Sequence, residues 1–83
     1  MTNITSVISP LPGTIYFQAS PTEPQYKLIG DEVKTGDVIA LVEVMKTFYE
    51  IKAEQDGFVE QFNVENGQTI DAGQEILSIK SSI

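Results

Sequence analysis

The chain has 83 residues, with 12 acidic side chains against five lysines for a formal charge of −7, and contains no cysteine, histidine or arginine. One small domain with little core to spare is what this length allows, and disulfides, thiolate or imidazole metal sites and histidine-based catalysis are excluded. The acidic balance argues against nucleic acid and anionic membrane as partners, and no apolar run approaches the ~20 residues of a membrane helix.

The N-terminal stretch Met1-Thr2-Asn3-Ile4-Thr5-Ser6 has neither a basic region nor a long apolar one, so the expectation is a cytoplasmic protein without a signal peptide. No Asp/Glu loop has the spacing of a calcium site, and no metal is expected. The acidic residues are scattered, with no shared apolar pocket in which a carboxylate pair would act as acid and base. A self-contained catalyst is therefore not expected.

In chain order, short apolar or alternating runs predict strands at 4–8, 13–18, 26–29, 38–44, 47–53, 58–64 and 76–80, with weak pairing around Val33 and Ile70. No window keeps helical periodicity for three turns, and glycines punctuate the chain, so the expected class is all-β. The chain also repeats itself loosely. Gly30 and Gly67, and Gly36 and Gly73, lie 37 positions apart in a shared Gly-x-x-(Val/Ile)-x-x-Gly-(Asp/Gln)-x-Ile pattern; Gly13 and Gly57 lie 44 apart. The first half thus carries seven more residues than the second between the paired glycines, by the comparison used for repeats. The surplus falls on the proline-bracketed segment 19–25. Proline lacks an amide donor and fixes φ, which predicts a protruding thumb-like loop rather than a central strand. As a plain surface insertion it is unremarkable; as a thumb it leans over something held nearby.

Two related halves, neither able to bury an apolar face alone, are expected to pack as a flattened barrel or sandwich of two antiparallel sheets with pseudo-twofold symmetry. Core candidates are Ile15, Phe17, Leu28, Val33, Ile39, Leu41, Ile51, Val59, Ile70, Ile76, Leu77 and Ile79. Such symmetry places the central reversal at Met45-Lys46 opposite the chain ends.

That reversal breaks a local rule. The run Val38 to Val44 is apolar and β-branched, and from Thr47 to Ala53 residues alternate, with Phe48, Glu50 and Lys52 on one face and Tyr49, Ile51 and Ala53 on the other. A two-residue hairpin between them wants positive φ, yet Met45 and Lys46 stand where Asn-Gly or Asp-Gly is expected. Violations of this kind concentrate at functional sites. A solvated lysine is the ordinary reading of Lys46 and a core residue folded under the turn that of Met45. An apolar residue at a turn tip beside a lysine instead suggests a recognition contact for an enzyme that modifies the lysine.

Glu43-Val44-Met45-Lys46 resembles the Glu-(Ala/Val)-Met-Lys-Met signature of biotinyl domains. Further resemblance lies in Ser9-Pro10-Leu11-Pro12-Gly13-Thr14-Ile15-Tyr16, in Ser20-Pro21, in Val33-Lys34-Thr35-Gly36-Asp37, in Ile51-Lys52-Ala53 through Gly57, and in Val64-Glu65-Asn66-Gly67-Gln68. These match the biotin carboxyl carrier subunits of bacterial acetyl-CoA carboxylase and cover about Ser9 to Ile79. The resemblance implies a barrel-sandwich hybrid with a thumb in its first half: an N-terminal segment 1–8, a biotinyl carrier domain 9–80 and a tail 81–83. It implies biotin joined covalently to the Lys46 amine by a biotin protein ligase that recognises Glu43, Val44, Met45 and Thr47, with Ser20, Pro21, Thr22 and Glu23 in the thumb. It implies a non-catalytic carrier, moving carboxybiotin from a biotin carboxylase subunit to a carboxyltransferase subunit in fatty acid biosynthesis.

Thr47 departs from the motif's second Met. It is β-branched and suits a strand start, so the hairpin is expected to persist and ligation to slow. No long linker precedes Ser9, which leaves open a minimal subunit or part of something larger. A lipoyl carrier shares the expected fold, but lipoyl sites read Asp-Lys-Ala and lack a thumb. An unmodified structural adaptor lacks the Met-Lys context. A carrier for propionyl-CoA, pyruvate, urea or 5-oxoproline chemistry differs only in an acceptor that the carrier does not choose.

Overall fold

The structure is a computed structural model that describes residues 3–81; residues 1 and 2 of the expected N-terminal segment and 82 and 83 of the expected tail lie outside the described residues. Alternating and β-branched runs form eight strands: β1 (Ile4–Ile8), β2 (Gly13–Tyr16), β3 (Glu32–Val33), β4 (Val38–Val44), β5 (Thr47–Lys52), β6 (Gly57–Phe62), β7 (Thr69–Ile70) and β8 (Glu75–Lys80). They make two four-stranded sheets, ordered β1-β8-β6-β3 and β5-β4-β2-β7, with antiparallel pairing throughout. The sheets face each other as an open sandwich and do not close into a barrel.

The half-repeat survives in this topology. Advancing every strand of the first sheet by four, counting on from eight to one, gives the order of the second. The turns repeat it in their hydrogen bonds. Asp31 Oδ2 accepts from Leu28 N–H at 2.8 Å and Gln68 Oε1 from Glu65 N–H at 3.0 Å, while Asp37 Oδ2 accepts from Lys34 N–H at 2.9 Å and Gln74 Oε1 from Asp71 N–H at 2.9 Å. Between halves, Gly30 N–H donates to the Val59 carbonyl at 2.8 Å and Gly67 N–H to the Ile15 carbonyl. Gly13 and Gly57 mark equivalent close crossings: a Cβ at Gly13 would strike the Glu43 carbonyl, and one at Gly57 the Lys80 carbonyl.

Between the sheets lie Ile15, Phe17, Val33, Ile39, Ile51, Val59, Ile70, Ile76, Leu77 and Ile79, buried as expected and joined by Ala40, Val42, Ala53 and Val64; Leu41 is buried too, but on the outer face of its sheet and not between the sheets. Leu28 corrects the expectation, being 54% exposed. It sits in no strand: the expected strand 26–29 is irregular and runs into a turn over 28–31, in which Leu28 N–H is held by the Asp31 carboxylate and Asp31 N–H returns to the Leu28 carbonyl at 3.0 Å. Side-chain capture of a backbone donor competes with a sheet ladder, and here it wins.

Candidate functional site

The β4–β5 hairpin pairs Val44 with Thr47, Glu43 with Phe48 and Val42 with Tyr49, leaving Met45 and Lys46 as a two-residue loop. Their φ angles are 49° and 67°, the positive pair that a right-handed-twisted hairpin requires. The conformation expected from the missing turn formers is present, carried by two residues with side chains. Left-handed backbone costs an L-residue about 1–2 kcal/mol, so flanking strand pairing must hold the tip. Val44 helps, half-buried against the core beside Gly13.

Met45 is 93% exposed and does not fold under the turn. Lys46 is exposed and makes no hydrogen bond or ion pair among the described residues. By contrast, Lys27 pairs with Asp37 at 3.2 Å, Lys34 with Glu32 at 3.1 Å and Lys52 with Glu50 at 3.9 Å. The tip therefore offers a primary amine unencumbered by a carboxylate, next to an apolar side chain in water.

Register assigns the faces behind the tip. Ile15 and Val42 are fully buried, so their row faces the core; the neighbouring rows, Tyr16–Leu41–Glu50 and Thr14–Glu43–Phe48, face outward. On this outer face the Tyr16 hydroxyl donates to Glu43 Oε1 at 3.2 Å, and the Tyr16 and Phe48 rings lie 6.3 Å apart at 50°. Burial, then the charge and hydrogen bond of Glu43, hold the Tyr16 phenol above its ordinary pKa. Tyr26 is raised likewise, by burial and then by Glu50.

The thumb lies over the same face. Gln18 and Gln25 bridge at its base, Gln18 Nε2 donates to the Ser20 carbonyl at 2.7 Å, Glu23 N–H closes a turn on the Ser20 carbonyl at 3.0 Å, and the Ser20 and Thr22 hydroxyls lie 3.2 Å apart. Under it is a cleft of about 400 Å³ lined by Tyr16, Gln18, Ala19, Ser20, Pro21, Leu41, Phe48 and Asn66. Of the four thumb residues singled out in the sequence, Ser20 and Pro21 line the cleft, whereas Thr22 and Glu23 do not. Thr47 is exposed at the start of β5. Tyr16, Gln18, Ala19, Leu41, Phe48 and Asn66 join the site only in the folded chain, and no sequence motif singles them out as site residues. An available signal was Phe48, an aromatic on the face otherwise given to Glu50 and Lys52.

The sequence model of a family described as biotin-requiring enzyme matches residues 5–79. The chain belongs to that family. Among curated relatives of this biotin-requiring chain, the biotin carboxyl carrier protein of acetyl-CoA carboxylase from Pseudomonas aeruginosa is 42% identical over 88% of this chain and 47% of its own length. The protein of the same description from Porphyra purpurea is 34% identical, over 96% and 51% respectively. The chain thus spans about half the length of the curated relatives it matches. Among solved structures, the urea carboxylase of Kluyveromyces lactis superposes with a TM-score of 0.75 and 25% identity, covering 93% of this chain and 6% of that one. A single-chain, multi-domain long-chain acyl-CoA carboxylase, at 19% identity and a TM-score of 0.77 over 96% of this chain and 7% of its own, shows the same fold.

Biotin is accordingly the cofactor to be accommodated, and the residues present fit it. An amide link needs an accessible primary amine, which the hairpin tip provides. The bicyclic head is small and partly apolar, and the aromatic-walled cleft under the thumb has room for a group of that kind.

Proposed function

We propose that this chain is the biotin carboxyl carrier of a biotin-dependent carboxylase that acts in the cytoplasm on acetyl-CoA, with biotin joined to the Lys46 amine. The observation that carries the proposal is the unpaired lysine at a strained two-residue tip, flanked by Met45 and backed by the family motif. Bound biotin supplies a ring nitrogen that accepts and releases a carboxyl group; the chain supplies position. The Lys46 amine attacks the activated carbonyl of biotinyl-adenylate on a biotin protein ligase. An amide forms, AMP leaves, and the amine loses its positive charge.

The stiff hairpin then holds that arm clear of the sandwich, so one tether serves a biotin carboxylase and a carboxyltransferase in turn at high effective concentration. Glu43, braced by Tyr16, and exposed Met45 and Thr47 form the surface that the ligase reads. Ser20 and Pro21, with Tyr16 and Phe48, shelter the biotin head between visits. The 34–42% identity to acetyl-CoA carboxylase carriers supports acetyl-CoA as acceptor. The test is transfer: the biotinylated chain, incubated with biotin carboxylase, ATP, labelled bicarbonate, acetyl-CoA and its carboxyltransferase, is expected to yield labelled malonyl-CoA. Label passing only to urea in a parallel reaction with a urea carboxyltransferase would replace acetyl-CoA as the acceptor.

A further inference from the structure

The two sheet edges that bracket the open side of the sandwich are treated differently by the sequence. Strands β1 and β5 each end their sheet, and a groove of about 740 Å³ runs between them, lined by Thr5 to Ile8 on one bank and Glu50 to Gln55 on the other. The half-repeat makes these strands equivalents, with Ser6 at the place of Glu50 and Ile8 at the place of Lys52. On β5 those positions carry opposite charges, the usual protection of an edge against pairing with another chain. On β1 no residue from Ile4 to Ile8 is charged, and none is proline. Ile4 is 57% and Ile8 52% exposed, at the two ends of this short strand.

Hydrogen bonding shows which groups face outward. Ser81 N–H donates to the Asn3 carbonyl, Ser9 N–H to the Gln74 carbonyl and Gly73 N–H to the Ser9 carbonyl, so the odd-numbered residues face β8. In an antiparallel ladder the alternate residues then turn their N–H and C=O to the free edge; here these are Ile4, Ser6 and Ile8. The register shift near Ile8 takes its extra residue, Ile76, from β8 and leaves β1 regular.

We propose that β1 is a docking edge for a second copy of this chain, paired antiparallel about Ser6 so that the two sheets continue as one. That register sets Ser6 against Ser6 of the second copy and Ile4 against Ile8 of the second copy at both ends. Every outward donor and acceptor of β1 finds a partner, and each exposed isoleucine meets the other. Shifting by two residues leaves isoleucines unpaired. The next strand adds charge complementarity. Lys80 lies beside Ile4 and Glu75 beside Ile8, so each Ile4–Ile8 contact is flanked by Lys80 of one copy and Glu75 of the other. At about 4.8 Å per strand they stand roughly 14 Å apart between backbones, within reach of long side chains lying along the isoleucines. Strand β5 takes no part, which leaves the Met45–Lys46 tip free in both copies.

The test is sedimentation equilibrium of the 83-residue chain from about 10 μM to about 1 mM, the range for an interface well below standard size. A monomer–dimer equilibrium is expected. Amide exchange is expected to slow with concentration at Ile4, Ser6 and Ile8, and not at Glu50 or Lys52. Ser6→Lys, which sets two ammonium groups face to face on the dyad, is expected to give a monomer throughout with an unchanged melting temperature when dilute. Lys80→Glu, away from the dyad, is expected to weaken the dimer several-fold. A monomer at the highest concentration, a dimer undiminished in both variants, or protection at β5 instead of β1 would overturn the proposal.

Discussion

Lys46 holds a left-handed backbone, φ 67°, that glycine would adopt without penalty. A stability optimum at this position is therefore not lysine, and the strain is retained for what the side chain does. Replacing Lys46 by glycine is expected to stabilise the domain by about 1 kcal/mol, raising its melting temperature by about 4–8 °C for a domain this small, while abolishing biotin uptake. Thermal denaturation followed by circular dichroism checks the first half; an unchanged or lowered melting temperature would mean that the tip is unstrained. This residue was legible because the sequence broke a turn rule at a defined place. The cleft residues Tyr16, Leu41 and Phe48 were less so, because their convergence depends on three strands and a thumb whose lean no local pattern encodes.

At the scale of elements, most strands could be read from alternation, and the errors have specific causes. The segment 26–29 has strand-like composition, but Asp31 captures the Leu28 amide and turns the chain. The half-repeat held the missing clue: Leu28 is equivalent to Glu65, whose segment is also a turn closed by a side chain, that of Gln68. Ala40 escaped the expected core because a register shift between Val38 and Ala40 buries the adjacent residues Ile39 and Ala40 together, which strict period two does not allow. Symmetry also explains Gly57, whose backbone passes the Lys80 carbonyl with Ile79 Cγ2 only 2.8 Å from where a Cβ would sit. Gly57→Ala is expected to cost about 1–3 kcal/mol by overpacking. Urea denaturation measures it, and a variant as stable as the parent would show that the crossing has slack.

For the whole molecule, acidity sets the response to pH. Backbone N–H groups of Lys34 and Thr35 hold the Asp37 and Asp56 carboxyls below their ordinary pKa, aided by Lys27 for Asp37 and by the Thr35 hydroxyl for Asp56. A depressed carboxyl gives stability that is complete above its unfolded-state value and is lost as pH falls through the lower folded-state value. The melting temperature is thus expected to hold near neutrality and drop below about pH 4, the ordinary carboxylate range. Asp56→Asn is expected to make that drop shallower, and an equally steep decline would remove Asp56 from the explanation.

The sandwich presents one lysine at a strained tip and leaves the others on strands and turns, and the carrier reading depends on the ligase finding that one. Tandem mass spectrometry of the chain after treatment with biotin protein ligase, ATP and biotin is the direct measurement. A single biotinyl group on Lys46, absent from Lys46→Arg that remains folded, is the predicted result. An unmodified chain with an active ligase, or biotin on Lys27, Lys34, Lys52 or Lys80 instead, would contradict it.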